Sequence, residues 1–219
     1  MLFRSYKAVT ITHSETSTGT ANDIKTLIPM IKAHGALVLM DAVTSLGCME
    51  INIDALGIDV VVSGSQKGFM LPPGLSFIYV SEAAYKAKES CKAPCYYFCW
   101  KQAKKALKDS TTPWTPNVSF IVALEKALTI MQEEGLENIT ARHTRLRDTL
   151  RNGVRKLGLK LLTEDKTASA AITAISAGAL VVASAQSAST SCFNFTQNLK
   201  LGSSGAQVMQ LQKTLNSTG

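Results

Sequence analysis

The sequence predicts an α/β fold in which helices flank a mostly parallel sheet. Two segments, ALVLMD at residues 36–41 and DVVVSGS at residues 59–65, carry continuous apolar runs, as expected of central parallel strands that are buried on both faces. Residues 22–34, which precede the first of these strands, place their apolar side chains at helical spacing. Strands that alternate with helices in this way are typical of an α/β layer.

The flanking segments fit the same pattern. A β-branched run, AVTIT at residues 8–12, leads into the polar segment HSETSTGT, which predicts a buried strand followed by a loop. Gly35 supplies a stop for the helix at 22–34. The run LSFIYVS at residues 75–81 follows a Pro-Pro-Gly turn and predicts a further strand, and Ser81 is expected to cap the next helix.

Two longer helices and a second layer are predicted further along the chain. One helix is marked by the apolar positions Ile121, Leu124, Leu128 and Met131. The other is marked by Ile139, Leu146, Leu150, Val154 and Leu157. The runs LKLL at 159–162 and AAITAI at 170–175 predict strands that begin another layer.

The composition indicates a globular protein. An apolar fraction of 46% with 18% charged residues lies outside the range of disordered chains. The net charge of +7 raises the question of nucleic-acid binding, but the basic residues are spread over helical stretches and favour a solvated helix face. Because no nucleic-acid-binding motif accompanies the charge, we expect no nucleic-acid partner.

Five cysteines, an odd number, favour a reducing cytoplasm rather than a disulfide scaffold. Cys91, Cys95 and Cys99 recur every four residues, which would align three thiols on a helix and suggest a soft-metal site. Pro94 argues against a continuous helix there, and no histidine is close in the sequence, so buried or incidental thiols are preferred and no metal is expected.

Three segments carry side chains that could take part in a reaction: TSTG at 16–19, DAV at 41–43 and SGSQKG at 63–68. Alone, Lys67 is explained as a surface lysine and Asp41 as a cap or turn residue. Together they match a pyridoxal phosphate (PLP) site, which needs a lysine amine for a Schiff base and a carboxylate beside the pyridine nitrogen. Both residues come at the carboxyl ends of predicted strands, where parallel sheets bind ligands.

Longer strings make the match more specific. THSETSTG, DAVTSLG, GSQKGFMLPPGLSFIYVS and TPWTPNVSFIVALEKAL resemble the class V aminotransferase family, in particular its alanine/serine:glyoxylate aminotransferase branch. The resemblance covers residues 1 to about 175. It implies a large PLP domain with a mixed α/β sheet, a smaller C-terminal domain, and a homodimer with active sites at the interface.

The resemblance also implies roles for individual residues. Lys67 corresponds to the Schiff-base lysine and Asp41 to the partner of the pyridine nitrogen, and these two form the expected catalytic pair. The further cofactor-binding residues are Ser17 beside the phenolic oxygen, its neighbour Thr18, Val43 on one ring face, Gln66 near the phosphate, and Thr115 near the phosphate of the neighbouring subunit. His13 and Glu15 lie in the same loop as Ser17 and are interpreted as loop-shaping residues.

The expected activity is transamination between alanine or serine and glyoxylate or a similar 2-oxo acid. The family's N-terminal phosphate loop and stacking aromatic residue have no counterpart in this sequence, and neither does its carboxylate-binding arginine. Impaired activity, or an inactive fragment, is therefore expected for the chain alone. Cys99 also stands where the family commonly has an acidic residue.

Three regions are predicted: a partial large PLP domain at 1–158, the start of a small domain at 159–176, and an unrelated Ala/Ser-rich and terminal segment at 177–219. LGSSGAQVMQLQKTLN in the last region resembles the opening of peptidoglycan-binding-like modules, so cell-wall binding is an alternative function. We expect weak order in this segment. We expect no membrane partner, because Ala, Ser and Thr contribute little transfer free energy.

Overall fold

A computed structural model of the protein describes residues 6–176. The strands are β1 (Ala8–Thr12), β2 (Ser14–Glu15), β3 (Thr20–Ala21), β4 (Leu37–Asp41), β5 (Val60–Gly64), β6 (Ser76–Val80), β7 (Lys160–Leu161) and β8 (Ile175–Ser176). The helices are α1 (Ile24–Ala33), α2 (Ile53–Leu56), α3 (Glu82–Glu89), α4 (Trp100–Lys108), α5 (Val118–Glu134) and α6 (Leu136–Lys156). The predicted alternation of strands and helices is confirmed.

The main sheet has the strand order β1-β4-β5-β6. The first three strands are parallel, whereas β6 runs antiparallel to β5, so the predicted mostly parallel sheet is confirmed. In the register of the sheet, Thr12 lies opposite Asp41, and Asp41 lies opposite Val62. The carboxyl ends of all three parallel strands therefore lie at one edge of the sheet.

Helix α1 lies within the predicted range of 22–34 and is shorter by two residues at its start and one at its end. The carboxylate of Asp23 accepts hydrogen bonds from the backbone N–H of Thr26 at 3.2 Å and from the Thr26 hydroxyl at 2.7 Å, which caps the helix. Gly35 follows the last turn with a φ of 70°, a conformation that costs glycine little. The buried side of α1 carries Ile24 and Ile28.

The apolar core lies on one face of the sheet. Its buried members are Ile24, Ile28, Val38, Met40, Ala42, Ile58 and Val61. Side chains alternate between the faces of a strand, so Asp41 points away from the face that carries Met40. On the Asp41 face, Val62 and Ile78 lie next to each other in register and are 37% and 51% exposed. The described residues therefore cover one sheet face well and the other only in part.

A buried carboxylate connects the core strands to the helices. Asp59, just before β5, accepts hydrogen bonds from the Lys32 amine at 2.7 Å, from the Val38 backbone N–H at 2.8 Å and from the Ser81 hydroxyl at 3.1 Å. Ser81 also accepts a hydrogen bond from the Ala84 N–H at 3.1 Å, which confirms its predicted role as the cap of α3. Because each carboxylate oxygen has a partner, the cost of burying the charge is offset.

The C-terminal part of the described chain packs back onto the loop after β1. The Arg151 side chain is buried and donates hydrogen bonds to the Asp165 carboxylate at 2.7 Å and to the Thr163 carbonyl at 2.6 Å. The hydroxyls of Ser14 and Ser169 are hydrogen-bonded at 2.7 Å. The strand predicted at 159–162 is present as β7. The strand predicted at 170–175 is wrong except at its last residue, because β8 begins only at Ile175.

Cys91, Cys95 and Cys99 do not share a helix. Helix α3 ends at Glu89 and α4 begins at Trp100, so the three thiols lie in the connection between them or next to it. No group of three His, Cys, Asp or Glu side chains within 6–176 has an arrangement suited to a metal ion. In the same range no helix is both long and apolar enough to cross a membrane. The peptidoglycan-binding-like segment and its predicted weak order lie outside the described residues.

Candidate active site

The candidate site is the edge of the sheet where the three parallel strands end. Strand β1 leads there into the 13–21 loop, β4 ends with Asp41, and the loop that contains Lys67 follows β5. Because β4 and β5 are adjacent and parallel, Asp41 and the start of the Lys67 loop lie on the same edge. This arrangement follows directly from strand order and register.

Asp41 is exposed and its carboxylate is held by the turn that follows. One carboxylate oxygen accepts a hydrogen bond from the Val43 backbone N–H at 2.9 Å. The Asp41 carbonyl oxygen accepts another from the His13 N–H at 2.9 Å, which extends the pairing of β1 and β4 beyond the last strand residues. The carboxylate is therefore oriented at the edge while remaining accessible.

The turn after Asp41 is anchored to its surroundings. The Thr44 hydroxyl donates a hydrogen bond to the Ser14 carbonyl at 2.8 Å, which joins this turn to the 13–21 loop. Gly47 has a φ of 82° and lies against Gly68, since a Cβ on Gly47 would stand 3.3 Å from the Gly68 carbonyl carbon. Val43, a predicted cofactor contact, is half-buried within this anchored turn.

The Lys67 loop is held in place by contacts of Ser65 and Gly68, and the Lys67 side chain takes no part in them. The buried Ser65 hydroxyl donates to the Pro72 carbonyl at 2.8 Å and accepts from the Leu75 N–H at 3.1 Å. A Cβ on Gly68 would overlap the Leu46 carbonyl oxygen, so the loop is in close contact with the turn after Asp41. Lys67 and Gln66 are both exposed, and the Lys67 amine forms no ion pair with any residue of 6–176.

The 13–21 loop presents hydroxyl groups. The Ser17 backbone N–H and hydroxyl both donate to one oxygen of the Glu15 carboxylate, at 2.9 and 2.7 Å. The backbone hydrogen bond and the hydroxyl bond from Ser17 hold the pKa of Glu15 below its ordinary value. The Thr18 hydroxyl donates to the Thr20 hydroxyl at 3.0 Å. Glu15 therefore shapes the loop that displays Ser17, in agreement with its predicted loop-shaping role.

His13 is buried at the base of the same loop. It is 4% exposed, and its Nδ1 atom has no hydrogen-bond partner within the described residues. Burial lowers the pKa of His13 below the ordinary value, which favours the neutral ring. The backbone of His13 anchors the base of the loop. Its N–H donates a hydrogen bond to the Asp41 carbonyl, and its carbonyl accepts one from the Asn22 N–H.

Thr115 belongs to a separate loop between α4 and α5 and is exposed. Its neighbour Trp114 stacks on Tyr97 with ring centroids 5.3 Å apart and an interplanar angle of 11°. The Trp114 ring N–H donates to the Tyr97 carbonyl at 3.1 Å, and the Thr112 hydroxyl donates to the Trp114 carbonyl at 2.6 Å. The segment is thus held by aromatic contacts, but it is not part of the sheet edge formed by Asp41 and the Lys67 loop.

Two residues important for the geometry were missed by the sequence analysis. Ser65 and Gly68 both lie within the SGSQKG string, yet only the lysine and the glutamine were given roles. The glycine directly after the lysine was the available signal, since glycine allows close approach of another backbone. Ser65 carried no comparable signal, because its partners Pro72 and Leu75 come from the following turn.

Comparison with known proteins gives the family. The model of the aminotransferase class-V family matches residues 2–195. The chain belongs to the class V aminotransferase family. It is 49% identical over 173 residues to the soluble hydrogenase 42 kDa subunit of Anabaena cylindrica, covering 78% of this chain and 45% of that protein. It is 41% identical over 162 residues to the serine–glyoxylate aminotransferase of Arabidopsis thaliana, covering 72% and 40%.

The fold is shared with solved members of the family. The pyridoxamine–pyruvate aminotransferase of Mesorhizobium loti matches with a TM-score of 0.73 and 34% identity, over 77% of this chain and 44% of that one. This match confirms the α/β fold predicted from the sequence. The chain spans less than half the length of the relatives that it matches.

The side chains at the sheet edge fit the cofactor of the family, pyridoxal 5′-phosphate. Such a cofactor needs an amine, a carboxylate and polar groups for its phenolic oxygen and phosphate. Lys67 offers an exposed amine, Asp41 an exposed carboxylate oriented by Val43, and Ser17 an exposed hydroxyl. These groups come from loops that are joined to one another by the contacts of Gly68 with Leu46 and of Thr44 with Ser14.

Proposed function

We propose that this chain contributes the lysine and carboxylate of a PLP site that transfers an amino group from alanine or serine to glyoxylate or a similar 2-oxo acid. The observation that carries the proposal is the common edge of β4 and β5, where Asp41 ends one strand and the Lys67 loop follows the other. When bound, the cofactor supplies an electron sink for the bond that breaks at the substrate's α carbon.

Lys67 holds the cofactor covalently and then carries a proton on its amine nitrogen. A lysine in this role needs an amine that the cofactor's aldehyde can reach and that is not committed to an ion pair. Its exposure, and its lack of an ion pair within 6–176, suit this role. The contact of Gly68 with Leu46 limits how far the loop moves, which keeps the amine at the sheet edge.

The Asp41 carboxylate accepts a hydrogen bond from the protonated ring nitrogen of the cofactor. The Val43 N–H occupies one carboxylate oxygen, which leaves the other free to accept a hydrogen bond from the ring. Val43 packs on one ring face, while Ser17 and Thr18 bind near the phenolic oxygen and Gln66 near the phosphate. This assignment follows position within the family, and the exposure of Ser17 and Gln66 supports it.

A second copy of the chain completes the proposed site. The role of Thr115 is to reach the phosphate held by a neighbouring subunit, so we propose a homodimer. Its exposed position on a loop braced by the stack of Trp114 on Tyr97 suits contact with a second molecule. We also propose that residues 1–158 belong to the large domain, that 159–176 begin the smaller one, and that the protein acts in the reducing cytoplasm.

The cofactor proposal is tested by adding pyridoxal phosphate to the purified full chain. We expect a visible absorbance band that borohydride abolishes, and a covalent pyridoxyl group on the peptide that contains Lys67. Lys67→Ala should lose both signals, whereas the control Lys92→Ala, at an exposed loop position, should keep them. The proposal is wrong if the wild type shows no band or if Lys67→Ala retains the labelled peptide.

The reaction is tested separately by following the conversion of glyoxylate to glycine with alanine or serine as donor. With alanine, pyruvate should appear in equal amount. Asp41→Asn should slow the reaction strongly while the Lys67 label is retained, and the exposed Asp109→Asn should have no effect. A chain that is labelled at Lys67 but forms no glycine with either donor would contradict the activity and support the inactive-fragment alternative.

A further inference from the structure

A cysteine pair lies next to a groove that the proposed PLP site does not use. Cys99 is the residue before α4, and Cys95 precedes it by four positions. The chain turns between them at residues 96–98, which places the two cysteines at the two ends of one short turn. Cys95 is exposed and Cys99 is partly exposed, so both thiols are accessible to small molecules in the described structure.

The surroundings of Cys99 favour its thiolate form. The backbone N–H of Gln102 is the main cause of a pKa below the ordinary value for a thiol, and the Cys95 thiol, the Lys101 N–H and the Lys88 charge add to it. Partial burial opposes this shift but does not reverse it. A thiolate is the nucleophilic form of cysteine, and a thiol with a lowered pKa is more often in that form.

The groove beside Cys99 is strongly basic. It lies between α3 and α4, has a volume of about 1270 Å³, and is lined by both Cys91 and Cys99. Two glutamates, Glu82 and Glu89, also line it. Its six lysines are Lys86, Lys88, Lys101, Lys104, Lys105 and Lys108. Glu82 is already paired with Lys104 at 3.0 Å, so the groove has a surplus of positive charge and suits an anionic ligand.

We propose that Cys99 and Cys95 form a redox-active dithiol that reacts with an anionic low-molecular-weight disulfide bound in the lysine-lined groove. The proposal combines two accessible, neighbouring thiols with a basic groove that opens onto one of them. It is independent of pyridoxal phosphate and of the residues of the sheet edge.

The reaction consists of two exchange steps. The Cys99 thiolate attacks one sulfur of the bound disulfide, whose S–S bond breaks and releases one half as a thiolate that takes up a proton from water. Cys95 then gives its proton to water and attacks the Cys99 sulfur, which forms the Cys95–Cys99 disulfide and releases the second half as a thiol. Two protein thiols are oxidised and one small disulfide is reduced to two thiols.

Peptide mapping of the full chain after exposure to glutathione disulfide tests the pair. The reduced protein should form a Cys95–Cys99 disulfide. Cys95→Ser should stop at a glutathione adduct on Cys99, and Cys99→Ser should react much more slowly. Cys91→Ser is the matched control, because Cys91 lines the same groove but precedes the turn, and it should react like the wild type. Pairing through Cys91, or equal adduct formation at all exposed cysteines, would overturn the proposal.

The charge of the reagent tests the groove. We expect glutathione disulfide, which is anionic, to react roughly tenfold faster than the cationic disulfide cystamine at low salt, with the difference shrinking as salt is added. Replacing Lys105 and Lys108 by Gln should slow the anionic reagent but not the cationic one. These two lysines line the groove and do not contribute to the lowered pKa of Cys99. Equal rates for the two reagents would show that the lysine-lined groove does not bind the anionic disulfide, which would overturn this part of the proposal.

Discussion

Gly68 lies so close to the carbonyl oxygen of Leu46 that a Cβ on residue 68 would overlap that oxygen. The contact joins the loop of Lys67 to the turn that follows Asp41. The neighbouring atom belongs to the backbone, so no side-chain rotation can make room. The spacing between the two loops at the sheet edge is therefore determined by the absence of a side chain at position 68.

Gly68→Ala should displace the Lys67 loop and weaken covalent binding of pyridoxal phosphate, since the amine would leave the sheet edge. The measurement is the borohydride-stable label at Lys67, together with urea unfolding of the same protein. Gly153→Ala is the matched control. Gly153 lies inside α6 with nothing within 4 Å of its added Cβ, so alanine there should keep the label and stabilise the helix by about 0.5–1 kcal/mol. Unchanged labelling of Gly68→Ala would show that the contact does not position the lysine.

Most of the sheet could be predicted from the sequence because its central strands have a simple physical signature. The apolar runs at 36–41 and 59–65 correspond to β4 and β5, the two central strands of the sheet, whose side chains on the core face are buried. The antiparallel direction of β6 was not predicted. The connecting segment 65–75 contains no helix, and a parallel connection needs a crossover of a dozen or more residues, so the short turn was an available signal.

The site was predictable only in part. Lys67 and Asp41 follow strands and belong to recognisable strings, so their position at one edge could be inferred. The contacts that fix them could not be inferred, because Gly68 meets Leu46 and Thr44 meets Ser14 through the folded backbone. The strand predicted at 170–175 failed because apolar and β-branched residues alone do not establish pairing, and only Ile175 of that run pairs in register with β7.

Ser65→Ala should loosen the connection between β5 and β6. The hydroxyl is fully buried, and its loss leaves the Leu75 N–H and the Pro72 carbonyl without that partner. An unsatisfied buried group costs about 1–3 kcal/mol, so we expect a lower free energy of unfolding by that amount in urea titrations. Ser76→Ala is the control, because Ser76 is exposed at the start of β6. Equal stability of the two variants would contradict a structural role for the Ser65 hydroxyl.

Asp59→Ala should destabilise the fold more strongly. The change removes an ion pair with Lys32 at 2.7 Å and leaves the buried Val38 N–H and the half-buried Ser81 hydroxyl without this partner. Loss of one member of a buried pair costs about 3–5 kcal/mol, although the partial exposure of Lys32 places this case near the lower end. Chemical unfolding measures the difference. Asp54→Ala, at an exposed position of α2, should change stability little, and a similar loss in both variants would show that the buried network is not the cause.

Asp165 should make stability depend on pH in the acid range. Arg155 and Arg151 hydrogen-bond to its carboxylate and hold its pKa below the ordinary value of about 4. Since the folded-state pKa is the lower one, the stabilisation is fully present above the unfolded-state pKa and is lost as the pH falls through the folded-state pKa.

Asp165→Asn should therefore be less stable than the wild type near neutral pH, and the difference should shrink below about pH 4. Urea unfolding across that range measures the gap. Asp148→Asn provides the comparison, because Asp148 pairs with Arg147 on the surface and such pairs contribute little. The buried Arg151 guanidinium explains the expected contrast, since a neutral amide in place of the Asp165 carboxylate leaves that charge without its anionic partner. A gap between Asp165→Asn and the wild type that stayed constant from neutral to acid pH would assign the effect to lost packing instead of charge.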